Sequence, residues 1–180
     1  MEIALLAKNS LKIKGKHTSF VVDPPTFAEA SNFAKAASDK SAGKQEKLEY
    51  KGGMRIHTDA VVIDGPGEYE IGGVKISGTR SEGEVLYNLN VEGVEILLGK
   101  LSALEKQQHK LKEQDIVVAY VDSMTNASFV TSLASSVVIY YGEQASELVA
   151  KFGKGNVVTM QKYSGLAGKL PQEVETVILQ

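Results

Sequence analysis

The 180-residue chain contains no cysteine and only three histidines, at positions 17, 57 and 109. The missing cysteines exclude disulfides and every zinc site that uses thiolate ligands. No two histidines lie within four residues of each other, so a paired-histidine metal motif is absent as well. The chain therefore lacks the two kinds of residue cluster on which zinc sites most often depend.

Long apolar runs and strong net charge are also missing. No apolar run approaches the roughly 18–20 residues that a membrane helix requires. Residues 1–8 lack the basic stretch that opens a signal peptide. The net charge is −2 and the isoelectric point is near 6.0, which argues against general binding to nucleic-acid phosphates. Together with the missing cysteines, these features predict a cytoplasmic protein with no membrane partner, and they leave nucleic-acid binding open only through a local basic patch.

The remaining composition is that of one soluble globular domain covering residues 1–180. Hydrophobic residues make up 43% and charged residues 23% of the chain, and this length can bury a substantial core. Strands are predicted at 2–7, 10–14, 18–23, 62–64, 74–78, 85–91, 94–98, 116–121, 137–141, 157–160 and 174–179. Helices are predicted at 26–37, 101–111, 126–134 and 143–152, and the polar segment 38–51 is predicted to be a mobile loop. Consecutive strands followed by alternating strands and helices favour two sheets between helical layers.

The most informative segment is residues 62–80, which contains the turn Gly65-Pro66-Gly67 between two β-like runs. Glu68 and Tyr69 follow the turn directly. A glutamate in this position can accept hydrogen bonds from exposed backbone amides. A tyrosine can bury its ring and use its hydroxyl as a polar contact. Both roles are structural, so we interpret these five residues as a structural turn.

Residues 62–78 resemble the small metallo-β-lactamase-fold hydrolases of the ascorbate-phosphate-lactonase-like group. In that group an apolar strand, Pro-Gly-Glu-Tyr-Glu and a Gly-Val-x-Ile-x-Gly strand recur in the same order. In the rest of the chain only the order of the predicted strands resembles that of the group. The resemblance implies a four-layer αββα sandwich, an α/β fold with two mixed β-sheets and helices outside. It also implies a metal site built from His-x-His-x-Asp-His with further His and Asp ligands.

The positions that the resemblance assigns to metal ligands carry other residues here. The segment for the paired histidines holds only His57, followed by Asp59. The metal-bridging aspartate aligns with Lys100, whose ammonium has no lone pair and repels a cation. The late histidine aligns near Tyr140 or Tyr141. We therefore predict a degenerate member with no metal, no cofactor and no catalytic residue. The vestigial cleft is predicted to contain Asp23, His57, Asp59, Asp64, Lys100, Tyr140 and Tyr141.

Three functions stay open on this reading. The first is a non-enzymatic binding or assembly protein, with self-association implied by the resemblance. The second is a metal-independent hydrolase that uses Lys100, His57 and Asp59 in the vestigial cleft. The third is a nucleic-acid accessory protein that uses the lysine-rich segment 35–51. If Lys100 projects into the cleft, its charge needs an acceptor, and Asp23 or Asp64 are the acids predicted to supply it.

Overall fold

The computed structural model describes residues 1–7, 9–24, 53–81, 83–107, 109, 113–121, 123–124, 135–152 and 157–180. The predicted helices at 26–37 and 126–134 and the predicted loop at 38–51 lie outside these ranges. The strands are β1 Glu2–Ala7, β2 Ser10–Lys14, β3 Ser19–Asp23, β4 Arg55–His57, β5 Val62–Ile63, β6 Gly67–Ile71, β7 Val74–Ser81, β8 Glu84–Val91, β9 Val94–Lys100, β10 Ile116–Tyr120, β11 Val137–Tyr141, β12 Val157–Met160, β13 Lys162–Ser164 and β14 Glu175–Leu179. The helices are α1 Leu101–Lys106 and α2 Ala145–Phe152. Neither described helix has the length and apolar character needed to cross a membrane.

The first sheet has six strands in the order β13-β1-β2-β3-β4-β5. Its strands alternate in burial as half-solvated strands do: Leu11 and Ile13 are fully buried, while Lys14 is exposed. Every described pairing in this sheet is antiparallel, whereas a mixed sheet was predicted. Short turns join β1 to β2, β2 to β3 and β4 to β5, and such turns allow only antiparallel pairing, since a parallel pair requires a long crossover.

The second sheet has eight strands in the order β12-β14-β11-β10-β9-β8-β7-β6. It is mixed: β6 to β9 form an antiparallel meander, and β9, β10, β11, β14 and β12 are parallel. The parallel strands are buried on both faces, as in β10, where all five residues are buried. One face packs on the first sheet, and the other packs on α1 and α2. Two face-to-face sheets with helices outside confirm the predicted fold class.

The Gly65-Pro66-Gly67 turn carries the chain from one sheet to the other. Residues 62–64 and 74–78 were predicted to be core strands on either side of it. The second of these is confirmed, since β7 is an interior strand with Val74 and Ile76 in the core. The first is a two-residue edge strand of the first sheet, β5, and β6 begins the second sheet directly after the turn. Because proline and glycine signal a change of direction but not which strands pair, sequence alone did not separate a crossing from a hairpin.

Two side chains support this turn. The Tyr69 hydroxyl lies 3.3 Å from the carbonyl oxygens of both Gly65 and Pro66. The ring of Tyr69 packs against the core between the sheets. Its ring is thus partly buried while its hydroxyl makes polar contacts, as predicted. The Glu68 carboxylate accepts a hydrogen bond of 2.6 Å from the Ser77 hydroxyl, where a backbone donor had been predicted.

Candidate functional site

Three side chains lie in one row where the parallel strands β9, β10 and β11 end. Tyr120 is in register with Lys100 on one side and with Tyr141 on the other. Residues in register on neighbouring strands place their side chains on the same face of the sheet. Both tyrosines belong to the core between the two sheets. The row therefore sits at the carboxyl edge of the second sheet, on the face toward the first.

The two tyrosines form a tilted ring pair. Their centroids are 5.3 Å apart, within the usual range for aromatic pairs, and the rings are inclined by 52°. Tyr141 is fully buried, and its hydroxyl has no hydrogen-bond partner among the described residues. Burial, with smaller contributions from Tyr120 and Asp23, raises the pKa of Tyr141 above its ordinary value. The row thus ends in a neutral phenol, that of Tyr141, at physiological pH.

Lys100, at one end of this row, has a carboxylate neighbour from the adjacent strand β8. Its Nζ lies 3.7 Å from Oε1 of Glu84, and both side chains are partly buried. The predicted acids were Asp23 and Asp64, while Glu84 was not named. Glu84 opens β8, which pairs with β9, and it comes near Lys100 through that strand pairing. A partly buried ammonium thus has an acid beside it, as charge burial requires.

A second polar group lies at the ends of β3 and β4 in the first sheet. His57 Nε2 lies 3.0 Å from Oδ2 of Asp23, and the Ser10 hydroxyl donates a 2.7 Å hydrogen bond to Oδ1 of the same carboxylate. Strand alternation places Asp23 and His57 on the face opposite the buried Val22 and Ile56. The predicted partner of His57 was Asp59, which is exposed in the turn that follows β4.

The order of contacts in this group limits its chemistry. In a nucleophilic triad the histidine stands between the hydroxyl and the acid, so that it can take the hydroxyl proton. Here the Asp23 carboxylate stands between Ser10 and His57. The carboxylate orients the imidazole and accepts from the hydroxyl, but this arrangement does not make the hydroxyl a nucleophile.

The predicted cleft residues do not all come together. Tyr140 points to the outer face of the second sheet and packs with the residues under α1 and α2, where burial raises its pKa to about 12. Its placement in the cleft was wrong, because neighbours along a strand face opposite ways. Asp64 is exposed in the turn after β5. The residues that sequence reasoning missed are Ser10, Glu84 and Tyr120. Tyr120 carried a usable signal, since it ends a buried run just as Tyr141 does.

A divalent metal does not fit the residues described here. No group of three His, Cys, Asp or Glu side chains in the described part of the chain could hold one. The position that the resemblance gives to a bridging aspartate holds the ammonium of Lys100, in register with Tyr120. Zinc and related ions need several converging lone pairs and no adjacent cation.

We predict that Tyr141→Phe leaves the free energy of unfolding unchanged or raises it by about 1 kcal/mol. The reason is that the variant removes a buried hydroxyl without a described partner. Burial raises the pKa of this phenol, so the wild type should lose stability as the pH rises above about 10. The variant should lose less, because position 141 no longer contributes to that loss, while the buried phenols of Tyr140 and Tyr163 still do. Urea unfolding at neutral and alkaline pH measures both effects.

Tyr87→Phe is the matched control for this prediction. Tyr87 is equally buried, but its hydroxyl lies 3.5 Å from the Ile63 carbonyl oxygen. We expect a loss of about 0.5–1 kcal/mol there. A loss above about 1 kcal/mol for Tyr141→Phe at neutral pH would show that this hydroxyl does have a partner.

Comparison with known proteins supports the fold. No protein-family model and no curated protein sequence matches the chain. A crystal structure does match, that of a Thermotoga maritima protein provisionally assigned as a Zn-dependent hydrolase of the metallo-β-lactamase superfamily. The two share 15% sequence identity with a TM-score of 0.60, and the match covers 99% of this chain and 98% of the other. Likeness at this identity shows the architecture alone, so the conclusion concerns structure: this chain has the metallo-β-lactamase fold.

Proposed function

We propose that this chain is a degenerate, non-catalytic relative of the ascorbate-phosphate-lactonase-like hydrolases, which acts as a cytoplasmic binding or assembly protein. The observation that carries the proposal is the row Lys100, Tyr120 and Tyr141 at the carboxyl ends of three neighbouring parallel strands. Ligands in open α/β sheets are usually held at such strand ends. In this chain those strand ends carry the ammonium of Lys100 and the packed phenols of Tyr120 and Tyr141.

The chemistry of these side chains supports the same proposal. A metal-dependent hydrolase needs a bound ion that lowers the pKa of water and so supplies hydroxide. The row offers no carboxylate or imidazole for that purpose. The row instead offers the ammonium of Lys100, whose contact with Glu84 links the end of β9 to the start of β8. It also offers the rings of Tyr120 and Tyr141, which pack against each other. Such an arrangement stabilises a scaffold.

A metal-independent hydrolase is the second candidate, favoured by the contact between His57 and Asp23. A carboxylate that orients an imidazole is a common feature of general-base catalysis. The position of Ser10 on the far side of the carboxylate counts against it. This candidate requires hydrolysis that His57→Ala abolishes while the melting temperature stays within a few degrees of that of the wild type.

We predict that neither the wild type nor Lys100→Asp binds zinc, manganese or iron in stoichiometric amounts. Restoring one acid leaves the other ligands missing, and an aspartate at position 100 would face the Glu84 carboxylate. The variant replaces an attractive pair by two like charges on neighbouring strands, so Lys100→Asp should also lower the melting temperature. Elemental analysis after dialysis against each metal measures the first expectation.

Lys100→Gln is the matched control, since it removes the charge at nearly the same length. Its melting temperature should lie between those of the wild type and of Lys100→Asp. About one metal ion per chain in the wild type would overturn the proposed function. Tight zinc binding by Lys100→Asp alone would show that a ligand set survives and that only one member had been replaced.

A further inference from the structure

The described strands end in four open sheet edges, and three of them are protected. Unpaired edge strands invite association with another chain, and proteins blunt them with charges, prolines or short length. Edge strand β6 exposes Glu68 and Glu70. Edge strand β5 is only two residues long. Edge strand β13 is three residues long and carries exposed Lys162.

The fourth edge, β12, has none of these protections. Its four residues, Val157 to Met160, contain no charge and no proline. Val157 and Val158 are 40% and 37% exposed, although they are large apolar residues. A groove of about 550 Å³ runs beside the strand. Its lining residues are Val157, Val158, Pro171, Glu173, Val174 and Glu175. Within the described part of the chain no strand pairs with the outer side of β12, so this surface combines an open backbone with apolar side chains.

Opposite charges lie at the two ends of this strand. β12 runs parallel to β14 with Val157 in register with Thr176, so Glu173 and Glu175 lie near its amino end. Lys162 follows two residues after its carboxyl end; its side chain is 65% exposed, and its Nζ lies 3.3 Å from Oε2 of Glu2, an exposed ion pair that leaves other ammonium protons free to reach a second acid. The edge is thus acidic where the strand begins and basic just beyond where it ends.

We propose that a second copy of this chain pairs with β12 in antiparallel fashion about a two-fold axis. Such an axis pairs a patch with itself, so the amino end of one strand lies beside the carboxyl end of the other. Glu173 and Glu175 of each copy then face Lys162 of the other copy, and the exposed valines meet across the axis. A parallel arrangement would place like charges together. The result is one continuous sheet through both subunits.

The backbone indicates which groups make this contact. The Met160 carbonyl accepts a hydrogen bond from the Gln180 amide, so the peptide groups of Met160, and two residues earlier of Val158, point toward β14. Because these directions alternate along a strand, the peptide groups of Val157 and Thr159 point outward. An antiparallel partner can bond both residues. An interface of four residues is small, so the dimer should be weak and dependent on concentration.

This inference rests on the assembly half of the proposed function, and its test is independent of the metal analysis. Sedimentation equilibrium of the full chain, from about 10 μM to about 1 mM, should show a monomer–dimer equilibrium. Thr159→Pro removes an outward N–H and leaves the bonds to β14 in place, so it should weaken dimerisation at least about tenfold. Thr159→Val keeps the N–H and is the matched control, with dimerisation unchanged.

Charge exchange tests the antiparallel orientation. Glu173→Lys and Lys162→Glu should each weaken the dimer about fivefold, and the double variant should restore it. Melting curves of each variant verify that the monomer stays folded. A chain that is monomeric at every concentration overturns the proposal. So does a dimer that Thr159→Pro leaves intact, or one that the double variant fails to restore.

Discussion

Replacing Gly142 by alanine is expected to lower the melting temperature by about 10 °C. Gly142 has φ +110, a region that alanine enters only with strain of about 1–3 kcal/mol. An added Cβ would also stand 2.6 Å from the Val121 carbonyl oxygen and 2.9 Å from the Tyr120 ring. The first of these contacts is with backbone, which cannot rotate away. Overpacking of this kind adds about 1–3 kcal/mol more. The melting temperature of the variant measures the combined cost of backbone strain and overpacking.

The matched control for this prediction is Gly168→Ala. Gly168 also has a left-handed backbone, with φ +73, but nothing lies within 4 Å of an added Cβ. Its substitution should cost only the backbone strain, about 1 kcal/mol, or a few degrees. Equal effects at the two positions would contradict the close contact between Gly142 and the end of β10. That contact matters because it supports Tyr120, the centre of the row in the candidate site.

Gly78→Ala is expected to lower the melting temperature by roughly 5–10 °C, corresponding to about 2–3 kcal/mol. A Cβ at this position would lie 2.8 Å from the Gly65 carbonyl oxygen and 3.1 Å from the ring of Tyr87. Tyr87 is fully buried and cannot yield space. Gly78 thus lets the crossing turn rest directly on β7. Urea unfolding monitored by circular dichroism gives the change in free energy.

Gly65→Ala separates this packing effect from a general effect of the turn. Gly65 lies in the same turn, yet nothing stands within 4 Å of an added Cβ. We expect its substitution to change stability by less than about 0.5 kcal/mol. A large loss at Gly65 together with none at Gly78 would mean that the turn sits differently on the second sheet.

Local sequence patterns predicted most of the strands because each strand alternates or is buried over a short run. The predicted strands 85–91 and 94–98 leave only Glu92 and Gly93 between them, and Val91 and Val94 do pair across this two-residue turn. The strands β4, β6 and β13 were missed. Each is a short edge or near-edge strand whose residues become a strand only because a neighbour supplies the hydrogen bonds.

The candidate site could be predicted only in part. The positions of Lys100 and Tyr141 at strand ends could be predicted, because both come at the end of apolar runs. The contacts of Lys100 with Glu84 and of His57 with Asp23 could not be predicted, because each contact joins residues on two paired strands, β8 with β9 and β3 with β4. Register decides which side chains meet, and a shift of one residue sends every side chain to the other face. This is also why Tyr140 and Tyr141 were not separated.

The sequence by itself determined that this protein has neither a thiolate metal site nor the His-x-His-x-Asp-His motif, since it contains no cysteine and its three histidines are scattered. It also determined the alternation of the half-buried strands in the first sheet and the continuous apolar runs of the doubly buried parallel strands in the second. Only the tertiary structure decided that Lys100, Tyr120 and Tyr141 share one face at one edge, and that β12 is left open. The physical reason is that composition and periodicity act within a segment, whereas strand order and register arise from burial shared among distant segments.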